Sequence, residues 1–457
     1  MLAGLLNLPQ ASAGFLTDLL SEQAADDAAT RLSIFEGYIG VLIASFLVAL
    51  LATPLLRRLA VANGIIDRPS DPRKVHKVPV AYLGGVAVFL GVMAGIFYSL
   101  VSVRFPNLLE FHKTKHLIDG EFHWPVPWSV LLGLTVICLV GVIDDVTGLN
   151  PRLKIAGQLV AAACLAIDNV GVRLAAGVLI PLARAAGMEI DVVGGVETLI
   201  FNVPMLGPVD AIYWTGTAVI GLAVVGLCNA SNLIDGLDGL LSGTTAITSM
   251  GLLFIALGLA LADDGPLDSQ RVVLCLAVLG ACLGFLPHNF NPASIFLGDA
   301  GSLLLGFCMC VLILTLGDTG KTHLVAAGLI AYMLPILDTI LAIIRRKMEG
   351  RSISAADDQH IHHMLKRAFG VKKAVFVLYG IAGTFAIMAG LASFGRARVV
   401  YLLALILVSY VGVTAIKIAR RRHIENQAML REAGVAPGPV QHPPAMTPPA
   451  ADGAVKV

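Results

Sequence analysis

Residues 211–240 read "AIYWTGTAVIGLAVVGLCNASNLIDGLDGL". The segment opens with an uncharged apolar run of about the length that an α-helix needs to cross a bilayer. Four oxygen-bearing side chains then follow at every third position: Asn229, Asn232, Asp235 and Asp238. An apolar helix that ends in such a cluster indicates a membrane-spanning fold with a functional site at the helix end.

The composition of the whole chain supports a membrane protein. Of the 457 residues, 57% are hydrophobic and only 14% are charged, whereas about a quarter of the residues of a soluble domain are charged. In lipid, every backbone polar group needs a partner within the protein, which favours helices. We therefore predict an all-α, polytopic integral membrane protein of about eleven transmembrane helices with cytoplasmic catalytic loops. No nucleic-acid partner is expected.

The apolar stretches define the predicted spans. A shorter stretch, 174–186, contains Arg184 and is interpreted as a re-entrant or interfacial piece. The predicted spans are 36–57, 80–101, 127–144, 153–168, 211–228, 239–262, 271–287, 301–317, 322–344, 373–394 and 398–418.

The two ends of the chain differ from the membrane domain, which we place at residues 35–420. Residues 1–34 lack the basic start of a cleavable signal and form a predicted extracytoplasmic segment. Residues 421–457 are rich in Pro and Ala and form a predicted disordered cytoplasmic tail. The seven cysteines lie in or at the ends of apolar stretches, so we expect them to pack there without a disulfide or a metal.

The distribution of Lys and Arg sets the orientation, because cytoplasmic loops carry the excess. With eleven spans, 22 of the 32 Lys and Arg residues fall on the side of the C-terminus. That side is therefore predicted to be cytoplasmic, with the N-terminus outside. Nearly all polar clusters fall on the same side. This favours an enzyme that brings a soluble substrate to a lipid over an ion-coupled transporter, whose charged groups lie near the midplane.

A pair of acids, Asp144 and Asp145, ends the third predicted span, and Lys154 follows after a break at Gly148 and Pro151. A carboxylate costs on the order of 3 kcal/mol at a bilayer centre, and far less at a helix end that faces the cytosol. Two acids within reach of a lysine suit metal-assisted phosphate chemistry. A solvated helix end is the alternative.

The polar cluster of the opening segment requires a break in its helix. Steps of three residues rotate by about 60° each, so Asn229 and Asn232 share a face while Asp238 would lie opposite them. Two glycines in the cluster predict a break near Asp235 that lets both aspartates fold back. Amide and carboxylate oxygens suit Mg²⁺ or Mn²⁺ together with phosphate oxygens. An ordinary capped loop is the alternative.

The segment "IFLGDAGS" (295–302) places Asp299 between two glycines, before a helix that we expect to begin near Ser302. Glycines let the backbone approach a ligand closely, and a helix N-terminus favours an anion. Phe296 could stack on a nucleobase or serve equally well as a core aromatic.

The segment "DDQHIHH" (357–363) supplies His360, His362 and His363. Adjacent histidines without a nearby cysteine rarely give zinc geometry, so phosphate binding or acid–base chemistry is the preferred role. A basic loop that meets anionic lipid headgroups is the alternative. Asp338 lies on the same helix face as Arg345, and we expect it to form a structural ion pair with a loop cation rather than to act in catalysis.

Taken together, the motifs resemble the polyprenyl-phosphate N-acetylhexosamine-1-phosphate transferases of glycosyltransferase family 4. "GVIDDVTGL", "NASNLIDGLDGL", "NFNPASIFLGDAGS" and "HIHH" occur in the family's order within residues 35–420. The "HIHH" form resembles the branch that transfers GlcNAc-1-phosphate to undecaprenyl phosphate. The form typical of phospho-MurNAc-pentapeptide transferases is absent.

The resemblance implies a UDP-sugar donor, an undecaprenyl (polyprenyl) phosphate acceptor and Mg²⁺, with Mn²⁺ as the other ion that the oxygen ligands would suit. We further expect membrane lipid as a partner, a homodimer and a location in a bacterial inner membrane. The resemblance also implies that Asn232 and Asp299 lie near the metal, and that Asp144, Asp145 and Asp299 are catalytic. It places Lys154 and the three histidines, His360, His362 and His363, at the pyrophosphate, and Phe296 and Asp238 at the uracil. The histidines are also predicted to be catalytic. Further predicted substrate-binding positions are Lys74, His76, Asn229, Asp235 and Arg351.

Two positions depart from the family pattern, because Asp358 and Ser294 stand where a basic residue is common. The implied reaction is attack of the lipid phosphate on the β-phosphorus of the UDP-sugar, which releases UMP. Near pH 7 a phosphate monoester is largely a dianion and needs no strong base. A two-step route through an aspartyl-phosphate, another UDP-sugar as donor, an ion-coupled transporter and a non-catalytic scaffold remain as alternatives.

Overall fold

The structure is a computed structural model. It describes residues 36–67, 79–105, 117–118, 121–122, 124–193, 196–205, 207–261, 268–317, 321–348, 360–394 and 399–410, with a few isolated positions besides. The predicted N-terminal segment, 1–34, and the predicted tail, 421–457, lie outside these residues.

Helices dominate the described part of the chain, and short hairpins connect some of them. The helices are α1 (Ile39–Ala62), α2 (Gly84–Arg104), α3 (Trp128–Thr147), α4 (Pro151–Ile167), α5 (Ala176–Ala185), α6 (Ala211–Ile234), α7 (Leu240–Leu261), α8 (Asp268–Asn289), α9 (Gly298–Thr315), α10 (Thr322–Ala331), α11 (Met333–Met348), α12 (Ile361–Phe369) and α13 (Val371–Phe394), with 3-10 turns at Glu36–Tyr38 and Val172–Ala175. The strands are β1 (Ile66–Asp67), β2 (Val80–Ala81), β3 (Leu117–Ile118), β4 (Glu121–Phe122), β5 (Asp191–Val193), β6 (Val196–Thr198), β7 (Ile200–Val203) and β8 (Gly207–Asp210).

The described helices confirm an all-α, multi-pass membrane protein. Eight are long and apolar enough to cross a membrane, or up to ten spans if each of two bent helix pairs counts as one. A shorter apolar helix, Val399–Thr414, follows them. The predicted number of eleven therefore stays a prediction.

The predicted span 322–344 corresponds to two helices, since α10 and α11 are bent by 77° at Tyr332. Pro335 in the first turn of α11 explains the break: it has no N–H to donate to Ala331, and its ring would clash with that carbonyl. The predicted re-entrant or interfacial piece corresponds to the 3-10 turn and α5, which turn by 84° from α4.

The outer helices expose large apolar side chains. Leu51 of α1, Phe97 of α2 and Leu222 of α6 are 64%, 65% and 76% exposed. Isolated residues of this kind also occur on soluble proteins, but here they recur along helices of membrane-spanning length. These faces suit contact with lipid hydrocarbon.

Helix α9 lies inside the bundle, and every one of its residues after Asp299 is buried. Glycines on its neighbours allow this close packing. A Cβ on Gly141 of α3 would clash with Ala300, and a Cβ on Gly85 of α2 would lie 2.5 Å from the Ala300 carbonyl carbon and closer still to the Gly301 nitrogen. Both helices therefore pack directly on the first turn of α9.

The strands form four antiparallel hairpins, β1–β2, β3–β4, β5–β6 and β7–β8. Ala81 of the first hairpin also pairs in parallel with Ile295, and the Phe296 nitrogen donates to the Ala81 carbonyl at 2.8 Å. This pairing ties the first hairpin to the segment that leads into α9.

Candidate active site

Four helix ends converge on one polar site: the C-terminal ends of α3 and α6 and the N-terminal ends of α4 and α9. The chain turns between α3 and α4 at Gly148, which has a positive φ of 68°. Asn150 then caps α4, its side chain accepting a hydrogen bond from the Arg152 nitrogen at 3.0 Å. This tight connection returns the first turn of α4, with Lys154, to the acids at the end of α3.

Lys154 joins two of the predicted acids. Its Nζ lies 2.8 Å from Asp144 Oδ2 and also forms an ion pair with Asp299 Oδ2. The other oxygen of Asp144 accepts a hydrogen bond from the Leu149 nitrogen at 2.6 Å. One lysine therefore neutralises charge from two helices that are distant in sequence.

Asp145 caps α9. Its Oδ1 accepts from the Asp299 nitrogen at 2.7 Å and its Oδ2 from the Ala300 nitrogen at 3.1 Å. The helix begins at Gly298, so the predicted start near Ser302 is wrong: the carboxylate binds the free amides of an earlier first turn. Asp299 consequently lies inside the helix, in its first turn.

The break predicted near Asp235 is confirmed, since α6 ends at Ile234 and α7 begins at Leu240. Asn232, in the last turn of α6, donates to Asp299 Oδ1 at 2.6 Å and to Ser302 Oγ at 2.9 Å. With Nδ2 used in this way, its amide oxygen is left to accept or to bind a metal.

Two other polar residues of this segment, Asn229 and Asp238, form hydrogen bonds outside the network of Lys154 and Asp299. Asn229 donates to Gln158 of α4 at 2.9 Å, which makes it a link between helices. Asp238 Oδ2 accepts from Asn291 Nδ2 at 2.8 Å and from the Ala293 nitrogen at 3.1 Å, so it holds the loop before α9. The predicted substrate contacts of both residues stay predictions.

Asp235 contributes a further carboxylate to the site. Burial raises the pKa of Asp235 to about 8. The like charges of Asp299, Asp145 and Asp238 raise the pKa in the same direction. Among the described residues, no lysine or arginine contributes to this balance, which leaves negative charge in excess around Asp235.

The excess of negative charge around Asp235 shows whether the residues of this site could hold a divalent cation. Lys154 is bonded to two of the site's acids, Asp144 and Asp299. The carboxylate of Asp145 is bonded to backbone amides of α9, and no cation acts on Asp235 within the described chain. Hard oxygen donors with surplus negative charge are what Mg²⁺ or Mn²⁺ requires. The residues present therefore fit such an ion.

Histidines form a second cluster beside the first. His360 and His362 are buried at 4% and 1% exposure, and His363 is half-buried. A Cβ on Gly236 would clash with the His362 ring, so the cluster lies against the break between α6 and α7. Burial lowers the pKa of His362 to about 3, which keeps its ring neutral.

Asp338 of α11 organises this cluster. Its Oδ2 lies 2.7 Å from His360 Nδ1, and its Oδ1 accepts from the Ile361 nitrogen at 2.8 Å. The expected partner was a loop cation, and among the described residues the side chain bonded to Asp338 is that of His360.

Sequence reasoning missed Tyr82, whose ring is tilted against Phe296 at a centroid distance of 6.2 Å. Burial, and then the charges of Asp67, Asp145 and Asp299, raise the pKa of Tyr82, so its phenol stays protonated beside the acids. The glycine pair that follows Tyr82 at 84–85 is the signal that could have drawn attention to it.

The Ser294 hydroxyl donates to the His288 carbonyl at 2.9 Å, which gives this departure from the family pattern a structural partner. Lys74, His76, Arg351 and Asp358 lie outside the described residues.

Comparison with known proteins agrees with this arrangement. A family model described as "Glycosyl transferase family 4" matches residues 127–317. A Bacillus subtilis protein named "Probable undecaprenyl-phosphate N-acetylglucosaminyl 1-phosphate transferase" is 34% identical over 76% of this chain and 82% of its own length. The chain belongs to glycosyl transferase family 4. The resemblance inferred from the motifs is thereby confirmed.

Other relatives of this family 4 protein cover similar lengths. A Mycobacterium leprae protein named decaprenyl-phosphate N-acetylglucosaminephosphotransferase is 31% identical over 84% of this chain and 90% of its own length. A Salmonella typhi protein named undecaprenyl-phosphate alpha-N-acetylglucosaminyl 1-phosphate transferase is 28% identical over 83% of this chain and 92% of its own length. The stretch matched by the family model contains the whole acidic cluster, from Asp144 to Asp299.

Proposed function

We propose that this family 4 protein transfers GlcNAc-1-phosphate from UDP-GlcNAc to undecaprenyl phosphate, releasing UMP and forming a lipid-pyrophosphoryl sugar. Family membership and the names of its relatives support transfer of GlcNAc-1-phosphate to a polyprenyl phosphate. The observation that carries the proposal is a bonded network at the ends of membrane helices, in which Lys154 pairs with Asp144 and Asp299 and Asn232 donates to Asp299.

The place of this cluster suits both substrates. It lies at helix ends, on the side that the Lys and Arg distribution assigns to the cytoplasm. A soluble nucleotide sugar can approach from that side, while the acceptor keeps its isoprenoid chain in the bilayer. We propose a bacterial cytoplasmic membrane location with the site facing the cytosol.

The reaction needs charge stabilisation and alignment more than a base. An oxygen of the acceptor phosphate attacks the β-phosphorus, and the bond from that phosphorus to the bridging oxygen breaks as UMP leaves. Lys154 can donate to a phosphate oxygen when substrate displaces one of its carboxylate partners. The largely dianionic acceptor supplies its own electron pair.

A divalent cation would be held by Asp299, Asp235 and the amide oxygen of Asn232. Bound there, Mg²⁺ or Mn²⁺ would supply positive charge to the phosphate oxygens. The proposed task of the carboxylates is to bind that ion. Lys154 would keep Asp144 and Asp299 oriented before substrate enters.

The hydrogen bonds of Asp145 favour the one-step route. Both of its oxygens accept from backbone amides of α9, so a covalent attack would have to release the cap of that helix. Appreciable turnover by Asp145→Asn would support direct displacement, because an amide cannot form an aspartyl-phosphate.

The test is release of radiolabelled UMP from UDP-GlcNAc by the purified full chain. We expect release to require undecaprenyl phosphate and Mg²⁺, and Asp299→Ala to abolish it. The matched control is Glu189→Gln, an exposed acid after α5 that should leave turnover unchanged. Near-normal turnover by Asp299→Ala would contradict the metal assignment.

The same assay addresses the donor. UDP-GalNAc, UDP-MurNAc-pentapeptide and other UDP-sugars replace UDP-GlcNAc in parallel reactions. We expect UDP-GlcNAc to give the highest kcat/KM. A higher value for another donor would change the sugar while leaving the reaction class intact, and no UMP release with any donor would refute the proposed function.

A further inference from the structure

The carboxylate of Asp338 lies completely buried on α11. It is 0% exposed, and both of its oxygens are engaged, by His360 Nδ1 at 2.7 Å and by the Ile361 nitrogen at 2.8 Å. A buried carboxylate without partners would strongly destabilise the fold. The buried position of Asp338 therefore depends on the segment that begins at His360, and the position of that segment depends on Asp338.

The bond fixes the position of a proton. An ionised carboxylate only accepts hydrogen bonds, so His360 must carry a hydrogen on Nδ1. The other ring nitrogen, Nε2, has no hydrogen-bond partner among the described residues. It can therefore accept a hydrogen bond from a ligand or, if the ring is doubly protonated, donate one to a phosphate oxygen.

We propose that Asp338 is a positioning residue for phosphate transfer: it holds His360 with the proton on Nδ1 and directs Nε2 towards the substrate phosphates. The inference rests on the proposed function and on the prediction that His360 contributes to pyrophosphate binding. The second bond, to the Ile361 nitrogen, anchors the start of α12 and so keeps the histidine backbone in place.

The neighbouring charges agree with this assignment. Among the described residues, Asp338, His363 and Lys366 act electrostatically on His362, and His360 and His362 act on Asp338. His362 stacks on His360 at 16° and 5.4 Å, and its Nδ1 lies 3.9 Å from Asp338 Oδ2. It is therefore too far away to compete for the hydrogen bond.

A shared metal ion explains the geometry less well. Asp338, His360 and His362 bring potential ligand atoms within 4.8 Å of one another. Two ligands bonded to zinc at about 2.1 Å in tetrahedral geometry lie more than 3 Å apart. The 2.7 Å between Asp338 Oδ2 and His360 Nδ1 is instead a hydrogen-bond distance.

The first experiment is ¹⁵N NMR of the full chain labelled at histidine, with His360 assigned from the spectrum of His360→Gln. We expect the His360 signals to report a proton on Nδ1. In Asp338→Asn the amide oxygen can still accept from Ile361, while its NH₂ group faces the ring and should move the proton to Nε2. A His360 signal without a proton on Nδ1 in the wild type would overturn the proposal.

The second experiment is a double-mutant cycle in the UMP-release assay. We expect Asp338→Asn to lower kcat/KM at least tenfold in the wild-type background and less than twofold in the His360→Gln background. A purely structural role would cost the same in both backgrounds. Thr339→Val, next to Asp338 and lacking a hydrogen-bond partner for its buried hydroxyl in the described chain, is the matched control.

The outcomes separate this proposal from the proposed function. If the wild-type chain releases no UMP, the function is refuted, and the spectrum alone decides the arrangement of Asp338 and His360. Equal losses in both backgrounds would overturn the positioning role. Stoichiometric zinc in the purified chain that is lost in His362→Gln would also overturn it, in favour of a metal site.

Discussion

Asp145 at the end of α3 holds Asp299 at the start of α9, with 2.7 Å between its Oδ1 and the Asp299 backbone nitrogen. The adjacent Asp144 is bonded instead to Lys154, which also binds Asp299. The two neighbouring acids thus act on the same residue from two directions, one through the backbone and one through a lysine.

The first prediction concerns the helix cap. Replacing Asp145 by Ala leaves two amides of α9 without their acceptor, which should cost about 1–3 kcal/mol of stability. Asp145→Asn keeps one acceptor oxygen and should cost less. Thermal unfolding of the purified variants in detergent measures this order, with Glu189→Gln as the control. A midpoint for Asp145→Ala equal to that of the wild type would contradict the cap.

The second prediction concerns Lys154. Lys154→Met removes the cation that is bonded to Asp144 and Asp299 while keeping most of the side-chain volume. Loss of such a charge should lower kcat by about 10²–10³, and Lys154→Arg should retain part of the rate. Single-turnover UMP release at saturating substrate is the measurement. A wild-type rate for Lys154→Met would remove the lysine from the mechanism.

Much of the acidic site could be predicted because its information is local. Gly236 and Gly239 follow the polar residues of α6 directly, so a break near Asp235 can be read from neighbouring residues. Asp144 and Lys154 are likewise only ten positions apart and are joined by a short turn.

What could not be predicted depends on contacts between distant segments. Because Asp145 caps α9, the helix begins at Gly298 and not near the predicted Ser302. Asp145 and Gly298 are more than 150 positions apart in the chain. Asp338 was expected to pair with a loop cation that the sequence could not name, and only packing brings His360 to it. Periodicity along one helix carries no information about such partners.

The third prediction concerns the packing of α2 on α9. Gly85→Ala would place a methyl group 2.5 Å from the Ala300 carbonyl carbon, against backbone that cannot move aside. We expect a large loss of folded protein and of transfer, since the first turn of α9 carries Asp299. Gly226→Ala on α6, with nothing within 4 Å of its new methyl group, is the matched control and should behave as the wild type. Fluorescence size-exclusion profiles compare the two, and a normal profile for Gly85→Ala would contradict the close approach.

The last prediction concerns acid stability. Burial holds the pKa of His362 at about 3 in the folded chain, against about 6.5 when the chain is unfolded. Between these values the unfolded state binds the extra proton, so stability is greatest above pH 6.5 and falls as the pH decreases. From pH 7.5 to 5.0 this one group should remove about 2 kcal/mol. His362→Gln has no such proton to bind, so its unfolding midpoint should fall less over that range than that of the wild type, whereas parallel curves would show that His362 is not buried as a neutral ring.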